Sequence, residues 1–488
     1  MTRLPAITAA LAVLTASATD AQPVQLTDFA GLGADGVETV LGGLGLAEVD
    51  GVVYFPAEAP GAFASELWSY DARTGATAMA ADFSGAAGSE VLEVAALGGL
   101  VYAVPTMGSD ARTLQAYDPA TGQARLVRQL RKPGDVGLTA VGDRLFFVDR
   151  SEDNVDEPYL YDPATDQATR VAEFAQGTGG ASTQTPSLVD GTVYYFADTE
   201  AGSTVWGTDL ETGASAEFAP GFSVASLPVA YSGALYAQAF PDDGSGGGLL
   251  RKSGSGAVSL QTGFPRDRAP VPVLAAPGYL LVAFDGDGND GGTAELYRYT
   301  GSSDPALLRD PNEVIDFEGV VVRDGLAYLS ATFRDGAGFS LGFEPATLDL
   351  ATGALSLVAD LAPGDRSGFQ NGYLAVGDAL YFSARTGEVA ELFRLGGGAI
   401  ASEPGATPLA VGAPFPNPTA GPVTLPLGRA GAVRVTAYDA LGRAVAVLFD
   451  GAAGGDLGLD VGALAPGVYV LRVERPGGAT TRRVVVAR

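Results

Sequence analysis

Residues 66–75 read ELWSYDARTG, and variants of the phrase return as LQAYDPATG at 114–122, YLYDPATDQ at 159–167 and VWGTDLETG at 205–213. Each copy runs from apolar residues into Asp, then two variable positions, then Thr followed by Gly or Asp. A second phrase precedes it, a turn that opens an apolar strand: VDGVVYF (49–55), LGGLVYA (97–103), VGDRLFF (141–147) and VDGTVYY (189–195). Weaker copies continue as YSGALYA (231–237), APGYLLV (276–282), RDGLAYL (323–329) and VGDALYF (376–382). The third residues of these phrases are Gly51, Gly99, Asp143, Gly191, Gly233, Gly278, Gly325 and Asp378, spaced by 48, 44, 48, 42, 45, 47 and 53 residues. Short strands and turns at such a period predict a β-propeller of about eight blades. Seven is the alternative count, because the fifth and sixth copies are the most divergent.

One copy divides into four strands. VLEVAAL is innermost, then GLVYAVPT, TLQAYDP and QARLVRQ, the last with one edge toward water. Asp-x-x-Thr-Gly then reads as the tight turn between third and fourth strands, where Asp bonds nearby amides and Gly takes a positive φ. Trp68, Trp206, Tyr159, Tyr297 and Phe393 hold equivalent third-strand positions and are expected to fill the space between blades. PVQLTDF (23–29) matches LSLVADL (355–361) as an outermost strand, so the N-terminal segment is expected to complete the last blade. These phrases are similar to the ELWxTDGT repeats of bacterial surface proteins, with YDxxTG standing where TDGT would be, and more generally to Kelch- and PQQ-type propeller units. That resemblance implies a fold and no single activity.

Composition narrows the chemistry. The 488 residues are 47% hydrophobic with 68 Gly and 30 Pro, enough for a large core broken by many turns. Acidic residues outnumber basic ones 57 to 29, a net charge of −28, which repels nucleic acid and anionic membranes. Cys and His are both absent, which excludes disulfides, thiolate chemistry, Ser-His-Asp catalysis and most zinc sites. Lys132 and Lys252 are the only lysines.

The two ends carry address labels. MTRLPAITAALAVLTASATDAQ has Arg3, an apolar stretch and then small residues, the pattern of a secretory signal peptide over residues 1–21. Residues 23–405 are assigned to the propeller and 406–412 to a linker. Residues 413–488 read as a small antiparallel β-sandwich of alternating strands. Within them stand PFPNP (414–418), YDALGR (438–443), LAPGVYVLRVE (464–474) and a basic, valine-rich end. This segment resembles the type A C-terminal sorting domain of the type IX secretion system. The resemblance implies handling by the type IX machinery and release or attachment outside the outer membrane. The motif positions it covers are Pro416, Asn417, Pro418, Gly442, Arg443, Pro466, Gly467 and Tyr469.

Acidic second-to-third-strand loops define one candidate functional face: SEDNVDEP (151–158), ADTEAGS (197–203), FPDDGSGGG (240–248) and FDGDGNDGG (284–292). Asp285, Asp287, Asn289 and Asp290 place oxygen ligands in the spacing of a Ca²⁺ loop, without the closing Glu; no other cofactor is indicated. Asp153, Asp156, Glu157, Asp242 and Asp243 are the carboxylates from which a glycosidase-like pair would be drawn. The leading expectation is a non-catalytic, exported scaffold that binds glycan or protein at the cell surface or outside the cell. The alternatives are a carboxylate-dependent enzyme on extracellular polysaccharide and a structural surface-layer protein.

Overall fold

The computed structural model describes residues 22–396 and 419–487 apart from short stretches, chiefly 28–35, 38–44, 59–64, 84–88, 108–110, 265–269, 285–294, 335–339, 363–366 and 439–443. The regular elements among the described residues are all strands. The chain divides into two compact units, Met1–Gly398 and Ala399–Arg488.

In the first, a four-stranded antiparallel motif recurs. Motif two is the simplest: Ser89–Leu97, Leu100–Met107, Ala111–Asp118 and Gln123–Gln129 pair in chain order. Motif three (Thr139–Val141, Arg144–Arg150, Asp156–Asp162, Gln167–Arg170) and motif four (Ser187–Val189, Thr192–Thr199, Gly202–Asp209, Ser215–Glu217) follow the same order. So do motifs one, five, six and seven, whose third strands are Ser65–Asp71, Gly248–Ser253, Glu295–Tyr299 and Ser340–Asp349. Motif eight draws Leu374–Val376, Ala379–Arg385 and Ala390–Gly396 from the end of the unit. Its fourth strand comes from the beginning, where Val24 and Gln25 pair with Arg394 and Phe393.

The recurring phrases are the turns of this motif. Asp-Gly at 50–51, 190–191 and 324–325 supplies two successive positive φ angles, near 50° and 80°, between first and second strands. That is the two-residue hairpin geometry whose twist matches the flanking strands. In the third-to-fourth turn, the Asp118 carboxylate accepts the Ala120 amide at 2.8 Å and the Asp349 carboxylate accepts those of Ala351 and Thr352 at 2.8 Å. The Gly five positions into the phrase then turns back, with the Gly122 amide donating to the Asp118 carbonyl. Motif three puts Asp166 there, in a left-handed conformation that Asp tolerates, at φ 55°.

The second strands bury consecutive residues, as in Val52–Glu58, Arg144–Arg150 and Tyr279–Phe284, so each motif has two apolar faces and needs a neighbour on both. Accordingly, each core cluster draws on two motifs. Tyr102, Leu114, Phe147 and Tyr161 share one between motifs two and three, and Phe146, Val148, Val193 and Tyr195 another between three and four. One cluster joins the last motif to the first, through Tyr381 and Leu392 against Phe55 and Tyr70. The aromatic third-strand positions lie in these seams: Tyr159 stacks on Phe147 at 5.5 Å, and Trp206 meets Phe174 edge-on at 5.2 Å. Short bridging strands cross two of the seams. Gly180 pairs parallel to Asp156 and antiparallel to Asp198, while Gly36 pairs parallel to Ala390 and antiparallel to Glu58.

The second unit is one sheet in the order Ala444–Asp460, Pro422–Tyr438, Gly467–Arg475, Gly478–Val486. Its two 17-residue strands shift register between Leu427 and Gly431. Residues on both sides of the shift, Val423 and Leu425 on one and Val433 and Val435 on the other, bury into a common core with Leu471 and Val484.

Candidate functional site

Second-to-third-strand loops and motif-to-motif connections emerge at the same end of each motif, because the strands are antiparallel and run in chain order. The five candidate carboxylates sit at this end, and their surroundings differ. Asp153 is exposed in a loop closed by the Ser151 amide on the Val155 carbonyl (2.8 Å) and the Val155 amide on Ser151 Oγ (3.2 Å). Asp242 and Asp243 are exposed as well. Hydrogen bonds from the Ser245 side chain and amide hold the Asp243 carboxyl below the usual range.

Asp156 and Glu157 belong to a dense ionic node instead. Asp156 accepts Arg150 Nε at 2.7 Å and Lys132 Nζ. Burial pushes its carboxyl up, but the bonds and charges of Arg150 and Lys132 outweigh that and leave it below the usual carboxylate range. Glu157 is 1% exposed. Its Oε1 accepts the Phe174 amide at 3.2 Å, its Oε2 is buried without a hydrogen-bond partner, and burial raises its pKa. Directly across the ladder from Glu157 lies Asp149, fully buried, which accepts Arg128 Nε (3.1 Å) and the amides of Arg131 (2.7 Å), Lys132 (3.1 Å) and Arg150 (2.9 Å). The sequence suggested that these acids stand in solvated loops; Glu157 and Asp156 stand at the head of a strand, where neighbouring motifs cover them.

An acid and a base that serve one substrate bond must face the same space. Asp156 and Glu157 are consecutive on a strand, so their side chains leave on opposite faces of the sheet. Asp149 shares the face of Glu157, but four donors occupy its oxygens. The described carboxylates of the node are therefore built to hold chain segments in place.

Glu157 also occupies a repeat position that sequence reading missed. Five residues before the turn Asp stand Glu66, Thr113, Glu157, Thr204 and Glu344, all of them 5% exposed or less. Glu391 holds the equivalent place in motif eight, fully buried. Glu66 accepts the Phe83 amide at 3.1 Å, Glu157 that of Phe174 at 3.2 Å and Glu344 that of Leu361 at 3.0 Å, in each case 17 residues further on. Each carboxyl thus ties down the chain just as it leaves the fourth strand. In motif eight the departing strand is replaced by the N-terminal segment, and Thr27 Oγ donates to Glu391 at 2.6 Å while accepting the Leu392 amide at 2.9 Å. The signal was present in the sequence as a Glu or Thr five residues before the turn Asp of motifs one to four and seven.

The remaining candidates lie elsewhere. Asp285, Asp287, Asn289 and Asp290 fall outside the described residues, and among those described no group of three or more acidic side chains could hold a metal ion. Pro416, Asn417, Pro418, Gly442, Arg443 and Pro466 are also outside them. Gly467 opens the third strand of the second unit, and the Tyr469 hydroxyl donates to the Ala465 carbonyl at 2.8 Å.

Residues 413–487 match the family profile described as a secretion system C-terminal sorting domain. The C-terminal unit carries a type IX sorting domain. The protein is thus exported through the type IX system to the cell surface or extracellular space, and the sorting domain commits it to that machinery. No described helix is long and apolar enough to cross a membrane. A search of curated proteins returns no significant match. Among solved structures, the chain is similar to a prolyl endopeptidase (11% identity, TM-score 0.44), covering 91% of this chain and 55% of that one, so it spans about half the length of that protein. It is also similar to the β-propeller domain of the Trilobed protease from Pyrococcus furiosus (14%, 0.41, 64% and 96%) and to oligopeptidase B from Leishmania major (10%, 0.45, 78% and 53%). Likenesses this distant say nothing of activity.

Proposed function

We propose that the mature protein is an exported, non-catalytic eight-bladed propeller that uses its loop face to hold a glycan or protein ligand. The single observation carrying this reading is that the loop-face carboxylates do not converge: Asp156 and Glu157 diverge across a sheet, Asp149 is saturated, and Asp153, Asp242 and Asp243 are exposed. Phe240, 40% exposed at the head of motif five beside Asp242, is an aromatic surface of the kind that sugar rings or apolar side chains cover. The blade count rests on the paired core clusters, one of which joins the first motif to the last, and on the N-terminal strand that completes motif eight. In this reading residues 1–21 are a signal peptide, the single sheet of the sorting unit folds over at its register shift into the two layers of a small sandwich, and Asp285, Asp287, Asn289 and Asp290 bind Ca²⁺ in the loop of motif six.

The test takes residues 22–405 and a panel of bacterial and algal polysaccharides, with and without calcium. Retention on one or more of them, reduced by Phe240→Ala and accompanied by no new reducing ends, is expected. Substrate-dependent product that disappears in Glu157→Gln would instead establish the carboxylate-dependent enzyme, for which the raised pKa of Glu157 is the supporting observation.

A further inference from the structure

Thr106 and Arg112 stand directly across the ladder from each other at the loop-face head of motif two. Cross-strand partners share one face of a sheet. Alternation along the two strands puts both on the face of Tyr102 and Leu114, which packs against motif three. Arg112 Nη1 and Thr106 Oγ1 are each buried without a hydrogen-bond partner. The cations that follow in this seam are committed: Arg128 pairs with Asp149, Arg131 with Glu152, and Lys132 and Arg150 with Asp156. The Arg112 carbonyl accepts the Leu130 amide at 2.9 Å and Gln129 Nε2 at 2.8 Å, which fixes the backbone from which the guanidinium extends.

A buried polar atom without a partner costs stability. Two such atoms on neighbouring residues, both able to donate, define a place for an acceptor. The fork of a guanidinium beside a hydroxyl matches the paired oxygens of a carboxylate or a sulfate. Charge favours the same sector. Residues 112–170 hold 8 basic residues against 10 acids, whereas residues 171–250 hold 9 acids and no base. An anion approaching the loop face is therefore repelled less by motifs two and three than by motif four. Two acids of the first strand lie close by. Glu93 is occupied by the amides of Val136 and Leu138, and Glu90, across the ladder from Thr106, is exposed, where water and salt weaken its repulsion.

We propose that Arg112 and Thr106 form an anion subsite of the loop face, which takes the carboxylate or sulfate group of an acidic glycan. This rests on the ligand-holding face proposed above and names the class of ligand that it holds.

Affinity electrophoresis of the full chain through gels that entrap polygalacturonate, dextran sulfate or plain dextran tests the subsite. Retardation is expected with one or both of the acidic polymers and not with dextran. It should weaken about tenfold in Arg112→Gln and less in Thr106→Val. Retardation by polygalacturonate alone assigns the subsite to a carboxylate, and by dextran sulfate alone to a sulfate. Equal retardation in all three gels, or retardation unchanged in Arg112→Gln, overturns the subsite and leaves the ligand-holding face standing. No retardation in any of them also overturns the subsite, while retention on the wider polysaccharide panel decides separately whether the face binds glycan. If Arg112→Gln fails to fold, Glu90→Gln decides, because an exposed side chain bears little on folding. Loss of that negative charge should strengthen retardation by the acidic polymers, and unchanged or weaker retardation overturns the proposal.

Discussion

At the scale of single residues, two positions show how tightly the motif connections are built. Gly180 has φ +73°, and a Cβ there would lie 2.0 Å from the Asp156 carbonyl oxygen. Gly180→Ala therefore combines backbone strain with a clash against backbone, and should cost about 3 kcal/mol or more in urea-induced unfolding. Thr27→Val keeps shape but removes a hydroxyl that both donates to Glu391 and accepts from Leu392. The expected loss is about 1–3 kcal/mol. It should appear in thermal unfolding of the propeller unit, while Thr27→Ser retains most of the stability. A loss below 0.5 kcal/mol would mean that the N-terminal segment closes nothing.

At the scale of the strand and turn, most of the architecture was legible because turns demand particular residues. Asp-Gly with two positive φ angles and Asp-x-x-Thr-Gly with its carboxylate on two amides are local chemistry, and local chemistry is written in the sequence. The buried acids were harder to see. Glu66, Glu157 and Glu344 look like ordinary polar residues at the head of a strand, and their burial depends on a neighbouring motif and on a connection 17 residues away. Reading Asp156 and Glu157 as loop acids failed for the same reason. Sequence shows that two acids are adjacent, but not that a sheet lies between them. The N-terminal strand offers a test at this scale. A chain beginning at residue 28 lacks Val24–Gln25, which leaves an open edge on Ala390–Gly396. It should unfold at lower temperature, and a peptide spanning residues 22–29 should restore much of the loss when added in excess. Absence of any rescue would argue that the strand is incidental.

At the scale of the whole molecule, charge and burial pull stability toward acid. Glu93 and Glu344, raised to about 7, contribute stability that is complete below about 4.5 and lost as pH rises through 7. Lowering the pH also relieves the self-repulsion of a chain carrying −28. The opposing groups are carboxyls held low, such as Asp156 beside Arg150 and Lys132, and their contribution disappears only as pH falls below the usual carboxylate range. The melting temperature should therefore climb from pH 8 to about 5 and fall again below about 4; a maximum at pH 8 would contradict the balance. The sorting domain makes a separate forecast. Without residues 413–488 the propeller should still fold but accumulate inside the outer membrane, as fractionation of producing cells would reveal.

The two lysines have a further consequence. Lys132 is spent on Asp156, and Lys252 donates to the Phe218 carbonyl at 2.6 Å with its ammonium 4.8 Å from the Phe218 ring centre. Apart from its amino terminus, the folded protein offers solvent almost no free primary amine. A protease that cuts after lysine has two sites in the whole chain, both tucked into contacts, and aldehydes or activated esters find little to attack. For a protein that works outside the cell, among other organisms' hydrolases and reactive sugars, that amounts to chemical camouflage.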